Sequence, residues 1–180
     1  GINIGPNKET KNKEEDYYKC LSMLSRYAGY MTINISSPNT EGLRNFHAEK
    51  EMSNLLIGLN KIKKNKNINQ PIAIKLSPDI DNEKISMIIE LVNKNNIQGI
   101  IVSNTTDSNR ENLSDTKKNE VGGLSGQPLK NISTKLIKKF YRETKGKIKI
   151  IGVGGIDSGQ SAFEKIAAGA DAVQLYTGMV

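Results

Sequence analysis

Polar and glycine residues gather at five points of this chain, each directly after a short apolar run. The five segments are 34–40, 75–79, 103–106, 152–156 and 176–178. They supply asparagine amides, one lysine ammonium, serine and threonine hydroxyls, and glycine backbone that a ligand can approach closely. Any one of them is consistent with an ordinary turn. All five together predict a single binding site.

The segment 152–156 reads Gly-Val-Gly-Gly-Ile and lies between a strand-like run and a helical pattern. Glycines let backbone N–H groups approach an anion, and the N-terminus of a following helix adds partial positive charge. The next glycine is Gly159, so the spacing departs from the G-x-G-x-x-G pattern of dinucleotide sites. The turn therefore indicates a phosphate site, although alone it is weak evidence.

A lysine and three asparagines indicate what else the site holds. Lys75 ends a run typical of a buried strand, where an ammonium is costly unless it meets an anionic or electron-rich partner or extends to solvent. Asn34, Asn39 and Asn104 each donate and accept hydrogen bonds. Such a set suits a planar ligand with alternating C=O and N–H groups.

Composition and charge exclude several classes of protein. The 180 residues are 36% hydrophobic, enough for one packed domain, and the net charge of +7 is scattered along the chain. Scattered charge, with three Phe, six Tyr and no Trp, disfavours a nucleic-acid-binding module of Rossmann type. The apolar runs are far shorter than the ~18 residues of a membrane span, and no signal peptide is visible.

Two single residues limit the chemistry further. Cys20 is the one cysteine, which excludes an internal disulfide framework, and its place on an apolar stripe predicts a packed residue. His47 is the one histidine and is interpreted as a surface residue or a local cap. Histidine acid–base catalysis and a histidine metal site are therefore not expected.

Strand-like runs that alternate with helical patterns must position these groups. The runs are 2–4, 30–35, 72–76, 99–103, 148–153 and 172–176. Between them, apolar residues recur at helical spacing, as at Ala162 and Ile166, and predict helices packed against a parallel sheet. The succession fits an open doubly wound sheet or a (β/α)8 TIM barrel, both of the α/β class, with the site at the carboxyl ends of the strands.

The ordered motifs together resemble class 2 dihydroorotate dehydrogenase, from Gly1 to Val180. The motifs are Asn-Ile-Ser-Ser-Pro-Asn-Thr followed by Gly42-Leu43-Arg44, Lys-x-x-Pro-Asp, Ser-Asn-Thr-Thr, Gly122-Gly123-Leu124-Ser125-Gly126, Gly-Val-Gly-Gly-Ile and Gln174-Leu175-Tyr176-Thr177-Gly178. The resemblance implies a (β/α)8 barrel that holds FMN and oxidises dihydroorotate to orotate in pyrimidine biosynthesis. It also implies electron transfer to a membrane quinone, either ubiquinone or menaquinone.

The resemblance implies roles for twelve residues. Ser37 matches the catalytic base, which is a cysteine in class 1, and Lys75 is expected to stabilise negative charge at the flavin. The residues that match substrate contacts are Asn34, Asn39, Asn104 and Thr105. The residues that match FMN contacts are Asn3, Asn34, Lys75, Ser103, Gly126, Gly155, Tyr176 and Thr177. Ser103 departs from the family, where many members have threonine.

The resemblance also predicts what lies outside this chain. Residues 1–180 are expected to form about six of the eight βα units, without the first barrel strands, the last helix and an N-terminal helical quinone region. The fragment alone is expected to be inactive. The whole protein is expected on the cytoplasmic face of a bacterial inner membrane, or on the mitochondrial inner membrane, as a peripheral protein. A flavin-free, phosphate-binding TIM-barrel isomerase or lyase acting on a sugar phosphate is the alternative.

Overall fold

The computed structural model describes residues 1–108, 110–111 and 113–180. In these residues strands and helices alternate along the chain. The strands are β1 (Ile2–Ile4), β2 (Met31–Asn34), β3 (Ile72–Leu76), β4 (Gly99–Val102), β5 (Lys149–Val153) and β6 (Ala172–Gln174). The α-helices are α1 (Lys13–Leu24), α2 (Glu49–Lys66), α3 (Lys84–Lys94), α4 (Lys130–Thr144) and α5 (Gly159–Ala167).

The sheet order decides between the two architectures. All neighbouring strands are parallel, and they lie in chain order from β1 to β6 with no reversal. A doubly wound sheet reverses its strand order at a switch point, whereas a barrel wall does not. The structure confirms the TIM-barrel prediction: the six strands form a curled part of the wall.

The alternation of side chains along the strands separates two faces of this wall. Ile72, Ile74 and Leu76 of β3 belong to the buried core between the sheet and the helices. Ala73 and Lys75 point to the opposite face, because successive strand residues alternate. The register aligns Asn34 with Lys75. Two predicted site residues therefore lie side by side at the carboxyl end of the inner face.

The fifth helix begins as its sequence predicts but packs differently. Ser158 caps α5 through a capping box with Ser161, which satisfies free N–H groups of the first turn. The prediction that Ala162 and Ile166 pack against the sheet is wrong for Ile166, which is 45% exposed. Ser161 and Lys165 are the buried residues of this helix. A lysine takes the inward position because its ammonium finds oxygen acceptors on α4.

His47 is buried, so its interpretation as a surface residue is wrong. It ends a short 3-10 turn, Leu43–His47, that precedes α2. The backbone N–H of Ser77 donates to Nε2 at 3.3 Å, so Nδ1 carries the ring hydrogen and donates to the Arg44 carbonyl at 3.0 Å. Burial lowers the pKa of His47 to about 4. The neutral ring ties the loop after β2 to the loop after β3.

Mild acid is expected to destabilise the fold through His47. Its pKa of about 4 in the folded protein lies below the ordinary value of 6.5, so the unfolded chain binds the proton first as the pH falls. The stabilisation is complete above pH 6.5 and is lost progressively down to about pH 4. Urea unfolding of the intact protein at about pH 7 and about pH 5 should show a smaller loss of stability in His47→Gln than in the wild type. Equal losses would contradict this role.

Three further expectations concern packing, membranes and metals. Cys20 is partly buried against the core, as predicted. Within residues 1–108, 110–111 and 113–180, no helix has both the length and the apolar character to cross a membrane. In the same part of the chain, no group of three or more His, Cys, Asp or Glu side chains is arranged to hold a metal ion.

Candidate active site

The carboxyl ends of β3 to β6 and the loops that follow them enclose a cavity of about 470 Å³. Cavities of this size hold small-molecule ligands and cofactors. Eight of the predicted site residues line it. They are Lys75, Ser103, Asn104, Thr105, Gly126, Gly155, Tyr176 and Thr177. Four of the five polar segments predicted to form one site therefore line this cavity, each after a different strand, whereas the segment after β2, residues 34–40, does not line it.

The glycine turn after β5 forms one side of the cavity. Gly154 and Gly155 have φ values of +114° and +68°, which disfavour residues with a side chain. A Cβ on Gly155 would lie 2.6 Å from the backbone of Lys130, so the turn packs directly against the start of α4. Only glycine fits this close approach.

The turn also presents backbone donors that have no partner in the described chain. Gly155 and Ile156 are buried, yet their N–H groups donate to no acceptor in residues 1–108, 110–111 and 113–180. Buried N–H groups are almost always hydrogen-bonded in folded proteins. This pair of N–H groups is therefore available to an acceptor in the cavity.

Two loops meet at the rim of the cavity. The Thr177 hydroxyl, after β6, donates to the Ser125 hydroxyl at 3.0 Å. A Cβ on Gly126 would lie 3.4 Å from the Thr177 methyl group. Among the described residues, the N–H groups of Tyr176 and Thr177 have no protein acceptor either. The rim adds two donors to those of the glycine turn.

Lys75 brings a partly buried cation to the cavity from the end of β3. Burial lowers the pKa of Lys75, and among the residues that the structure describes no charged partner opposes that effect. A desolvated ammonium without a carboxylate needs an anionic or electron-rich partner. A ligand in the cavity would meet this need.

Asn34 and Asn104 form one hydrogen-bonded network through Ser36. The Asn104 amide donates to Asn34 Oδ1 at 3.3 Å and to Ser36 Oγ at 3.0 Å. Ser36 Oγ donates to Asn34 Oδ1 at 2.9 Å, and the Thr105 N–H donates to Asn104 Oδ1 at 2.8 Å. The network fixes the amide orientations. Ser36 was not predicted, because its sequence neighbours do not reveal that it bridges two strands.

Ser37 and Asn39 lie beside the cavity on the loop after β2, not in its lining. The Asn39 N–H donates to Ser37 Oγ at 3.2 Å; Ser37 is partly buried and Asn39 is exposed. The intervening Pro38 approaches Gly123, where a Cβ would lie 3.2 Å from the proline ring. The loop after β2 therefore packs against the segment that leads to Gly126.

Asn3 is a predicted site residue that lies outside the lining of the cavity. It is exposed on β1 and lies in register with Thr32, two residues before Asn34 on the neighbouring strand. Because its side chain alternates with that of buried Ile4, it points to the inner face of the wall. Asn3 shares the face of the site but does not line the cavity.

Arg44 ties three loops together, a role that its sequence position did not indicate. Its guanidinium bonds to Asp107 at 2.8 Å, lies 3.2 Å from Asp79, and contacts the carbonyls of Ser36 and Thr105 at 3.5 Å and 3.4 Å. The hydrogen bond from Arg44 lowers the pKa of Asp107, whereas burial raises the pKa of Asp79. The loops after β2, β3 and β4 are held as one unit.

Comparison with known proteins gives a consistent result. The model of the family described as Dihydroorotate dehydrogenase matches residues 1–180. Dihydroorotate dehydrogenase (quinone) from Chromobacterium violaceum is 44% identical over all of this chain and 54% of its own length. The protein of the same name from Wigglesworthia glossinidia brevipalpis is 46% identical over 100% of this chain and 55% of its own. The chain thus spans about half the length of these relatives.

The fold comparison agrees with the sequence comparison. The crystal structure of DHODH from Eimeria tenella in complex with ferulenol superimposes with a TM-score of 0.94 at 35% identity. The match covers 99% of this chain and 52% of that one. The resemblance found in the sequence motifs is confirmed, and the sugar-phosphate alternative has no support among these relatives.

Proposed function

This chain belongs to the dihydroorotate dehydrogenase family, and from that membership we propose that its protein oxidises dihydroorotate to orotate in pyrimidine biosynthesis. The observation that carries the proposal is the cavity at the strand ends, which is lined both by a lysine whose pKa is lowered by burial and by buried N–H groups that have no acceptor among the described residues. An anionic, electron-rich cofactor would provide both a partner for the lysine ammonium and acceptors for the N–H groups. A neutral ligand would leave both unmet.

We propose FMN as this cofactor. Its phosphate would be held by the N–H groups of Gly155, Ile156, Tyr176 and Thr177, which have no other acceptor in the described chain. The residues proposed to hold its ring and ribityl chain are Asn3, Asn34, Lys75, Ser103 and Gly126. When bound, FMN supplies a two-electron acceptor, which amino-acid side chains do not provide.

The substrate is proposed to lie against the asparagine network. Oxidation of dihydroorotate removes a proton from one ring carbon and a hydride from its neighbour, so the ring must be oriented on both faces. Asn34, Asn39, Asn104 and Thr105 offer the donors and acceptors for that orientation. Hydrogen bonds within the protein fix the side-chain amides of Asn34 and Asn104.

Ser37 is proposed to take the proton, and Lys75 to stabilise negative charge in the cavity. A serine hydroxyl is a weak base, so it needs a dry site and an onward path for its own proton. Ser37 is partly buried, and its oxygen accepts from the Asn39 N–H. That contact fixes the position of the oxygen atom on the loop.

We further propose that a quinone accepts the electrons and that the protein works at a membrane surface. This proposal is supported by the relatives from Chromobacterium violaceum and Wigglesworthia, because both are named dihydroorotate dehydrogenase (quinone). We propose the cytoplasmic face of a bacterial inner membrane, or the mitochondrial inner membrane, as its location, because the quinone would be dissolved in that membrane. Sedimentation of the intact protein with quinone-containing vesicles tests this; recovery in the vesicle-free fraction alone would contradict it.

The identity of the released cofactor tests the proposal. Heat should release a yellow compound from the purified intact protein that co-migrates with FMN, and not with FAD or riboflavin, in chromatography. FAD in its place would overturn the FMN assignment. A colourless protein would overturn the flavin mechanism. It would instead favour the alternative, a flavin-free isomerase or lyase that acts on a sugar phosphate.

A further inference from the structure

Lys165 is a fully buried cation behind the glycine turn. It lies on α5 with 0% of its surface exposed. Its ammonium donates to the Lys130 carbonyl at 2.7 Å, to Ser133 Oγ at 2.5 Å and to Thr134 Oγ1 at 2.6 Å. All three of its hydrogens therefore have acceptors, and all three acceptors are neutral oxygens at the start of α4.

Among the described residues, no counter-ion balances the charge of Lys165. The charged groups nearby are Glu164 on its own helix and Lys130 on α4. These two pair with each other at 2.9 Å, which leaves the charge of Lys165 in excess. Burial lowers its pKa to about 8. A buried charge without a counter-ion is costly, and a bound anion nearby reduces that cost.

A short chain of contacts leads from Lys165 to the glycine turn. A Cβ on Gly152 would lie 3.2 Å from the Lys165 Cβ, so β5 packs directly on the lysine stem. Ser133 Oγ lies 3.2 Å from the Gly154 carbonyl oxygen. The single hydroxyl hydrogen of Ser133 can be donated to this carbonyl or to the Lys130 carbonyl at 3.4 Å. The Lys130 carbonyl already accepts from Lys165 and Thr134, so the Gly154 carbonyl is the favoured acceptor.

This contact sets the direction of a donor in the cavity. The Gly154 carbonyl and the Gly155 N–H belong to one planar trans peptide, so they point in opposite directions. With the carbonyl held by Ser133, the Gly155 N–H points away from α4. That N–H is one of the two buried donors without an acceptor in the described chain.

We propose that Lys165 is a positioning residue for the phosphate group bound at the glycine turn. It holds Ser133 as a donor to Gly154, which directs the Gly155 N–H, and it adds a buried positive charge behind the anion. The inference rests on the proposed function, because it takes the phosphate to be that of FMN.

The test compares FMN with riboflavin, which has the same ring and no phosphate. Flavin affinity is measured on the flavin-free intact protein by fluorescence titration. In Lys165→Met the Kd for FMN should rise about 10- to 100-fold, while the Kd for riboflavin stays within about twofold. Lys149→Met is the matched control: it removes one positive charge at the other end of β5, where Lys149 pairs with Asp171 at 2.7 Å. This control should change neither Kd.

Each outcome has a distinct meaning. Equal losses for both flavins would make Lys165 a packing residue only, and an unchanged FMN affinity would leave it without a role; either overturns the inference. If Lys165→Met does not fold, Ser133→Ala breaks the same chain of contacts and should lower the preference for FMN over riboflavin. An unchanged preference in Ser133→Ala would overturn the inference. A wild-type protein that binds neither flavin overturns the proposed function itself.

Discussion

Replacement of Ser37 by alanine is expected to slow the reduction of the bound flavin by dihydroorotate by ~10²–10⁴-fold. This is the usual loss when a general base is removed, because the proton then has no positioned acceptor. Ser37 does not line the cavity, so FMN should remain bound. Stopped-flow absorbance on the intact protein at neutral pH measures the rate.

Ser86→Ala is the matched control for this experiment. Ser86 lies exposed on α3, where its hydroxyl donates to Glu143 at 2.9 Å, away from the loops of the site. The control should reduce its flavin at the wild-type rate. A Ser37→Ala rate within about twofold of the wild type would remove Ser37 from the mechanism.

Gly155→Val should weaken FMN binding on the order of 100-fold or more, with little change in turnover per bound flavin. Its added Cβ would lie 2.6 Å from the Lys130 backbone, and its φ of +68° strains any β-branched residue. The turn must shift, so the N–H groups of Gly155 and Ile156 lose their alignment with the phosphate. Fluorescence titration gives the affinity, and assays normalised to bound flavin give the turnover.

Gly159→Val provides the control for Gly155→Val. A Cβ on Gly159, at the start of α5, meets no atom within 4 Å. This variant should bind FMN like the wild type. If Gly155→Val also keeps the wild-type affinity, the phosphate is bound elsewhere, and the assignment of the other FMN contacts loses its basis.

The fold was predictable because it depends on local patterns. β1 and β3 occupy the residues that the sequence predicted, 2–4 and 72–76, and the other strands differ by one or two residues at their ends. Strand-forming runs and helical spacing are both visible within a few residues. The parallel order followed from their alternation.

Side chains whose partners are distant in sequence were not predictable. Periodicity assigns apolar residues to the inner face of a helix, so it selected Ile166 and passed over Lys165. The acceptor Ser133 of Lys165 is 32 residues away in the sequence. His47 likewise meets Ser77, 30 residues away. A buried polar residue is recognised only when its partner is known.

The sequence predicted where in the fold the site lies, but not which side chains contact one another within it. The polar segments after the strands had to converge, because parallel strands share one carboxyl edge. Which side chains meet there depends on the loops, as with Arg44 and Asp107, which are 63 residues apart. The sequence could assign Ser37 to the carboxyl ends of the strands. It could not show that Ser37 lies beside the cavity and not in its lining.

Anaerobic mixing of dihydroorotate with the intact protein tests the central claim most directly, with the visible flavin absorbance as the readout. The account predicts that dihydroorotate bleaches this absorbance, with orotate formed in an amount equal to the flavin reduced. An excess of soluble quinone added afterwards should restore the absorbance, with further orotate formed in an amount equal to the remaining dihydroorotate. A protein whose bound flavin stays oxidised in the presence of saturating dihydroorotate would contradict it.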